Sequence, residues 1–370
     1  MKRLCIYVTY DYENVVDDYI GYMLQELRKS VDCLVVVCNY EYIAKGIDNI
    51  HPYADRIFYR KNTGFDAGAY KDVLCQYLGW DVMCRYDELL LVNDSFYGPF
   101  YSFGDLFYKM EHTDTDYWGM TRSPEAERDG HMYGSHIQSY FLALRQSILK
   151  SEEFRTFWED MVYPSSLMQA IILFEIGMNT LLQQLGFTGV AAMDQCSYQW
   201  NLRKNENPHI LYPLELIRDA RVPVLKRKCL SLANKRFADA IGALKYIENE
   251  CGYDTSLIMK HLLRIGKGTD LMGLDKFYVE HPRIFIYGAG LYGRNLAEYF
   301  AYKGWVFEKF LVTDAYGLSG ECLSFDHADI AESDGIIIAV GNRDMFSEIL
   351  SVVEKRCSAK QIFNTECSFW

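Results

Sequence analysis

The sequence predicts an α/β fold made of two separate βαβ blocks with a helical stretch between them. Three observations carry this expectation. Short apolar runs alternate with amphipathic stretches from the first residues to Phe100, the alternation restarts at Arg283, and Phe237 to Lys267 shows helical spacing without a strand-like run. Apolar runs separated by helical patterns fit a parallel sheet covered by helices.

The elements follow in order. "RLCIYVTY" reads as a buried strand, "VVDDYIGYMLQELRKS" as an amphipathic helix, "DCLVVVCN" as a second strand and "ADRIFYRKN" as a shorter third. Asp66 to Leu78 has helical spacing, with Ala69, Val73, Leu74 and Tyr77 on one side. "DELLLVND" is a fourth strand that runs into the turn "SFYGPF". "TDYWGMT" and "GSHIQSYFLALR" are further strands, "SEEFRTFWEDMV" is a helix, and Ser166 to Leu185 is a longer one closed by Gly186. Two helices over Phe237 to Lys267 lead to a second block of "RIFIYGAGLYGRNLAEYFAYKGW", "EKFLVTDA" and "SDGIIIAVGNRDMFSEILSVVEKR".

Composition narrows the function. The chain has 370 residues, 50% of them hydrophobic, enough to bury the cores of two or three domains. Its formal charge of −12 argues against general nucleic-acid binding, which needs clustered cations in excess of acids. The single basic run, Leu225 to Arg236, reads either as a solvated segment or as a contact for a diphosphate or an anionic membrane. Eleven scattered cysteines without a CxxC pair suit a reducing compartment. No stretch approaches the ~18 apolar residues that span a bilayer, so a cytoplasmic location is expected, with peripheral contact at the inner face of the plasma membrane left open.

Five constellations carry chemistry. Asn62, Gly64, Asp66 and Gly68 follow the third strand, where ligands collect in open α/β sheets; they form either a capped turn or a loop shaped around a ligand. Asn93, Asp94 and Ser95 end the fourth strand, with Asp94 a candidate ligand for a divalent cation (Mg or Mn) bridging a diphosphate, or else part of a turn. His136, Gln138 and Ser139 precede an apolar run, and Gln138 has the donors and acceptor that sugar hydroxyls require. Glu175 lies among Ile171, Ile172, Leu173, Phe174, Ile176 and Met178, where a carboxylate must find a partner or carry a raised pKa. Such a carboxylate is a candidate general base. Finally, Gly288, Gly290 and Gly293 show the G-x-G-x-x-G spacing between a strand and a helix, and Asp314 ends the next strand where a ribose-binding acid would stand; nucleotide binding and a purely structural turn are both open.

The segments "NTGFDAGAYKDVL", "YDELLLVNDSFYGPF", "YWGMT", "HIQSYFLALRQSIL", the Phe157–Trp158 pair, "FEIGMNTLLQQLGF" and "VPVLKRK" occur in one order over Met1 to Lys228. In these the chain resembles the rhamnan synthesis F family, rhamnosyltransferase-like proteins of bacterial surface polysaccharide assembly. The resemblance implies a GT-A type glycosyltransferase domain over 1–236, a mixed central sheet flanked by helices; the residues beyond it read as a helical connector over 237–280 and a small Rossmann-like domain over 281–370. It places Asn93 to Ser95 where related enzymes carry an Asp-x-Asp metal motif, although neither outer position is acidic here. Glu175 falls where their base carboxylate lies.

What this implies is an inverting transfer of a deoxysugar, L-rhamnose from dTDP-rhamnose, onto a lipid-linked or growing glycan. Glu175 is expected as base. Asp94, with a cation or with Lys226 and Arg227, is expected on the phosphates; Thr9 and Tyr10 frame the nucleotide base, and Asn62, Gly64 and Asp66 the donor. Trp118, His136 and Gln138 are expected at the acceptor or sugar, and Phe96, Tyr97 and Tyr117 are further rings for sugar faces, with most of these rings expected in the core. Two rival expectations are a sugar-nucleotide oxidoreductase acting through the C-terminal glycine loop and a non-catalytic glycan-binding partner.

Overall fold

In the computed structural model, which describes residues 1–128, 131–193, 206–231, 233–265, 271–314 and 320–364, the apolar runs become the centre of one large sheet. Strand β1 (Arg3–Thr9) is buried along its whole length and lies between β2 (Cys33–Cys38) and β4 (Glu88–Asn93), both parallel to it. β3 (Arg56–Tyr59) extends the parallel set beyond β2. Helix α1 (Asp18–Arg28) joins β1 to β2, and α2 (Phe65–Asp72), extended by a π-helical stretch Val73–Tyr77, leads from β3 towards β4. Helix α3 (Phe103–Glu111) follows β4.

Beyond β4 the sheet becomes mixed. Strand β5 (Tyr117–Gly119), the short pair β6 (Arg122–Ser123) and β7 (His136–Ile137), β8 (Phe141–Arg145) and β9 (Gly189–Ala191) follow in the chain. The sheet order is β9-β5-β8-β4-β1-β2-β3, with β8 antiparallel to both neighbours. The sheet is thus mixed and flanked by helices, as expected for this part of the chain. The reversal matters for position: β8 begins where β4 ends, and Asn93 N donates to Tyr140 O across the junction. Residues just ahead of β8 therefore arrive beside the carboxyl ends of β1 and β4.

Helix α4 (Glu152–Asp160) and a composite helix cover one face. The composite runs as α5 (Leu167–Ala170), a π-helical stretch Ile171–Ile176 and α6 (Gly177–Gln184). Phe174 packs on Tyr70 of α2 and Trp158 of α4, with ring centroids 5.7 and 5.4 Å apart. Leu89, Leu91, Leu142 and Leu144 from the sheet are fully buried in the same core, each contributing about 1.5–3 kcal/mol.

Two compact units result, one of Met1–Pro208 with Glu215–Leu225 and the other of His209–Leu214 with Lys226–Trp370. The basic run from Lys226 to Arg236 and the helices expected as a connector thus group with the second unit. They are α7 (Phe237–Asn249), α8 (Ser256–Ile265) and α9 (Leu271–Glu280). The unit continues through β10 (Ile284–Tyr287), α10 (Leu291–Lys303), β11 (Phe310–Val312), β12 (Cys322–Ser324), β13 (Gly335–Ile338), α11 (Arg343–Val353) and β14 (Ile362–Asn364). These strands form an all-parallel sheet in the order β12-β11-β10-β13-β14. Among the described residues no helix is long and apolar enough to cross a membrane.

"GSHIQSYFLALR" differs from its expectation as a single strand. It splits into β7 and β8, because the chain leaves β6, crosses over Gly119 and only then enters the sheet. Ile137 sits so close over Gly119 that a Cβ there would lie 2.2 Å from its methyl carbon.

Candidate active site

Parallel strands β1 and β4 end side by side, with Val8 opposite Asn93, and the residues just past them bond to one another. Asp94 Oδ2 accepts from Thr9 Oγ1 at 3.0 Å and from Tyr10 N at 2.9 Å. Thr9 is fully buried and its hydroxyl also lies 3.0 Å from Tyr40 Oη, whereas Tyr10 is 42% exposed, with its ring open to a flat ligand. Burial first, and the Asp94 charge second, push the Cys38 thiol up to about 12.

The glycine-rich loop after β3 is held by a cation that sequence reasoning passed over. Arg60 donates to Asp72 Oδ2 at 2.6 Å, to Asn39 Oδ1 at 2.8 Å and to Thr63 O at 2.7 Å. Asn39 in turn donates to Asn62 Oδ1 and Phe65 O. Gly64 and Phe65 both take positive φ, 76° and 58°, the second uncommon for an aromatic residue. Gly68 permits a close approach: a Cβ would lie 2.2 Å from Thr63 O and 3.0 Å from the Tyr163 ring. This turn carries Asp66 to the end of β4, where its Oδ2 accepts from Asn93 Nδ2 at 2.8 Å and its Oδ1 from Ala67 N. Burial raises the Asp66 carboxyl; the Asn93 and Ala67 donors oppose the rise and the Glu175 charge adds to it.

Glu175 stands in the π-helical stretch, a geometry that re-aims side chains and recurs at functional sites. Its side chain is 14% exposed. Oε2 accepts from Ser139 N at 2.8 Å and Ser139 Oγ at 2.7 Å, and Oε1 lies 3.1 Å from His136 Nε2. The other ring nitrogen of His136 faces Gly134 O at 3.0 Å, so both nitrogens meet oxygen acceptors. Burial alone would raise the Glu175 carboxyl, but His136 and the Ser139 donors outweigh it and hold it below the ordinary glutamate range. Of the two outcomes the sequence left open, Glu175 therefore finds partners. One turn further, Asn179 exchanges hydrogen bonds with both Ile137 N and Ile137 O and donates to Glu175 O, fastening the helix to β7.

At the strand ends Asp94 thus joins Thr9 and Tyr10, Asp66 joins Asn93, and Asn62 joins Asn39, while Glu175 with His136 and Ser139 forms a further cluster whose charge acts on Asp66. Several side chains expected at a sugar are instead used within the fold. Trp118 is fully buried, packed between Phe107 and Phe141, and donates to Glu88 Oε1 at 2.8 Å; a ring without exposed surface cannot take a sugar. Phe96, Tyr97 and Tyr117 are core residues too. Gln138 is 8% exposed and its Oε1 accepts from Thr121, so that acceptor is used within the fold. Lys226 and Arg227 belong to the second unit, as do Gly288, Gly290, Gly293 and Asp314. Among the residues that sequence reasoning missed, Arg60 and Asn39 were visible only as polar ends of strands, and Tyr163 and Asn179 carried no signal.

Relatives are distant. An uncharacterized protein of Sinorhizobium fredii, y4gN, is 22% identical over 160 residues, 43% of this chain; the match spans 40% of that relative's length. A cytidylyltransferase from Leptospira borgpetersenii is 13% identical, with 56% of this chain and 77% of that one covered at a TM-score of 0.30. Core-mannan synthase A from Aspergillus fumigatus, in a manganese and GDP form, is 10% identical, with 42% and 63% covered at 0.25. Scores this low add nothing to the sheet topology described above. The profile of rhamnan synthesis protein F, by contrast, matches residues 34–285, well over half of the sequence and every segment quoted for the resemblance; the end of β1 and the glycine loop from Gly288 lie outside it. The chain belongs to the rhamnan synthesis protein F family.

Proposed function

We propose that the first unit is a glycosyltransferase of polysaccharide synthesis that moves a sugar from a nucleoside diphosphate donor to a glycan hydroxyl. The observation that carries this reading is the Glu175 carboxylate, kept ionised by His136 and Ser139, with its charge acting on Asp66, which is bonded to Asn93 at the end of β4. In the reaction the acceptor oxygen attacks the anomeric carbon while its proton passes to Glu175. The bond from that carbon to the donor phosphate breaks, and its electron pair leaves on the diphosphate. Displacement of this kind inverts the anomeric configuration.

The roles of the remaining residues follow from their chemistry. Tyr10 offers an exposed ring to the nucleotide base, and Asn62 and Asp66 offer polar atoms to the donor. His136 and Ser139 are positioning residues for Glu175. A divalent cation fits Asp94 as one carboxylate ligand beside phosphate oxygens of the donor, a donor set that Mg²⁺ accepts. It would neutralise charge on the leaving diphosphate. The flanking Asn93 and Ser95 are uncharged, so the protein itself contributes little to hold the ion. The family's name supports rhamnose as the sugar; dTDP-rhamnose as its donor and a lipid-linked or growing surface polysaccharide as acceptor are part of the proposal.

The test is a thermal-shift panel of nucleotide sugars on the full chain, followed by transfer from the stabilising donor to a glycan acceptor. Binding raises apparent stability as RT ln(1 + [L]/Kd). A single donor that stabilises the protein and gives a product of opposite anomeric configuration is expected. Retained configuration would overturn the inverting step, and donor binding without transfer would make the chain a glycan-assembly partner instead of an enzyme.

A further inference from the structure

The second unit has a reversal point of its own. From β10 the chain passes through α10 to β11 on one side, and from β13 it passes through α11 to β14 on the other, so the crossovers diverge between the two adjacent central strands. Such a switch point leaves a crevice at the carboxyl ends of the strands, the usual place for ligands in open α/β sheets. A cavity of about 360 Å³ lies there, bounded by the loop from β10 to α10, the end of β11 and the turn from β13 to α11.

The three glycines of the loop are not equivalent. A Cβ on Gly293 would lie 1.8 Å from Gly288 O, so glycine is required for α10 to pack on β10. Gly288 takes φ +116°, and a Cβ there would lie 2.6 Å from Ala339 O. Gly290 has φ −79°, and a Cβ there would meet nothing within 4 Å. The fold therefore accepts any residue at 290, yet this position lines the cavity, where a side chain would occupy ligand space.

We infer that this cavity is a second binding site, independent of the transferase reading, for a nucleoside diphosphate. Its walls are Val312, Val340, Met345 and Ile349, apolar surfaces for a flat base. Its lining includes Gly288 and Gly290 on either side of Ala289, and the two glycines, having no side chain, let a diphosphate approach the backbone closely. The first turn of α10 carries no side-chain cap, whereas Asn342 caps α11 through Asp344 N and Met345 N. Asp314 follows the lining residue Thr313 just past β11, the part of such a fold where a ribose-binding acid stands. A nucleotide sugar and a dinucleotide share this chemistry.

The experiment titrates the full chain with NADH, NAD⁺, UDP-glucose and dTDP separately by calorimetry, on the wild type, Gly290→Asp and Met345→Glu. Aspartate is a favoured residue at a helix N-cap, so Gly290→Asp keeps the fold while placing a carboxylate against the diphosphate. At least one probe should bind the wild type and bind Gly290→Asp roughly tenfold or more weakly, with thermal stability and first-unit sugar transfer unchanged. Met345→Glu, on the exposed rim, should weaken the same probe. Loss confined to NADH and NAD⁺ identifies a dinucleotide, and loss confined to UDP-glucose or dTDP identifies a sugar nucleotide or its product. The inference is overturned if no probe binds or if both variants bind as the wild type does.

Discussion

At the carboxyl ends of β1 and β4 the first unit gathers the carboxylates of Asp66, Asp94 and Glu175, each already hydrogen-bonded to a neighbour. At the ends of β10 and β13 the second unit gathers glycine backbone and aliphatic side chains around a cavity. Both crevices follow from the same parallel-sheet logic, but only the first is furnished for moving protons and stabilising charge. The difference teaches that strand ends supply a place, and that the side chains brought there decide between chemistry and simple binding. In the first unit the segment that leads into the antiparallel β8 is what imports the extra side chains, with His136 on β7 and Ser139 just ahead of β8.

Glycines give the sharpest way to break this comparison. Gly68→Val in the first unit and Gly293→Val in the second each force a Cβ into a carbonyl, 2.2 Å from Thr63 O and 1.8 Å from Gly288 O. Each should destabilise its unit by about 3 kcal/mol or more, read as separate transitions in calorimetric melting. Gly290→Ala should shift neither transition by more than about 0.5 kcal/mol; a large loss there would mean the middle glycine is structural after all.

Next in size is Asn179→Ala. It leaves Ile137 N and O without their partner, and burial makes that cost about 1–3 kcal/mol in urea unfolding of the first unit. Transfer should fall as well, because β7 carries His136. Full activity in this variant would detach the Glu175 cluster from its support.

Two carboxylates of the first crevice respond to pH with opposite sign. The Asp66 pKa is raised on folding, so the group costs stability above the folded value, and that cost shrinks as pH falls below it and is gone below the unfolded value. The Glu175 pKa is lowered, so its stabilisation is present above the unfolded value and lost as pH falls through the folded one. Asp66→Asn keeps an acceptor for Asn93 and should raise the melting temperature at pH 7 with a gain that shrinks in acid, while donor binding weakens. A melting temperature lowered at pH 7 would contradict the raised Asp66. The smallest effect concerns the cation: a chelator should lower transfer without lowering the melting temperature, since Asp94 alone holds the ion weakly.

Much of the fold was legible in the sequence because its strands are unbroken apolar runs. "RLCIYVTY" and "DELLLVND" needed no partner to declare themselves. Strands β12 and β14, three residues each, and helix α9 gave no such signal and formed only because the neighbouring sheet accepted them. At the candidate site, Glu175 was legible as a charge among apolar residues, and Asp94 as an acid at a strand end. Their partners were not, because Ser139 and His136 lie 36 and 39 residues from Glu175 in the chain. Trp118 was misread for the opposite reason. An aromatic ring beside a strand end fits a sugar and a core equally well, and the Glu88 carboxylate that claims its Nε1 is 30 residues away.

The central claim is that Glu175 accepts the acceptor's proton, and Glu175→Gln tests it most directly. Glutamine keeps an oxygen for Ser139 but has no basicity. Measured with saturating donor and acceptor, the rate constant for transfer should fall by about 10²–10⁴, while the donor's Kd and the melting temperature at neutral pH change little. A variant that binds donor normally and transfers sugar at a rate near that of the wild type would contradict the account.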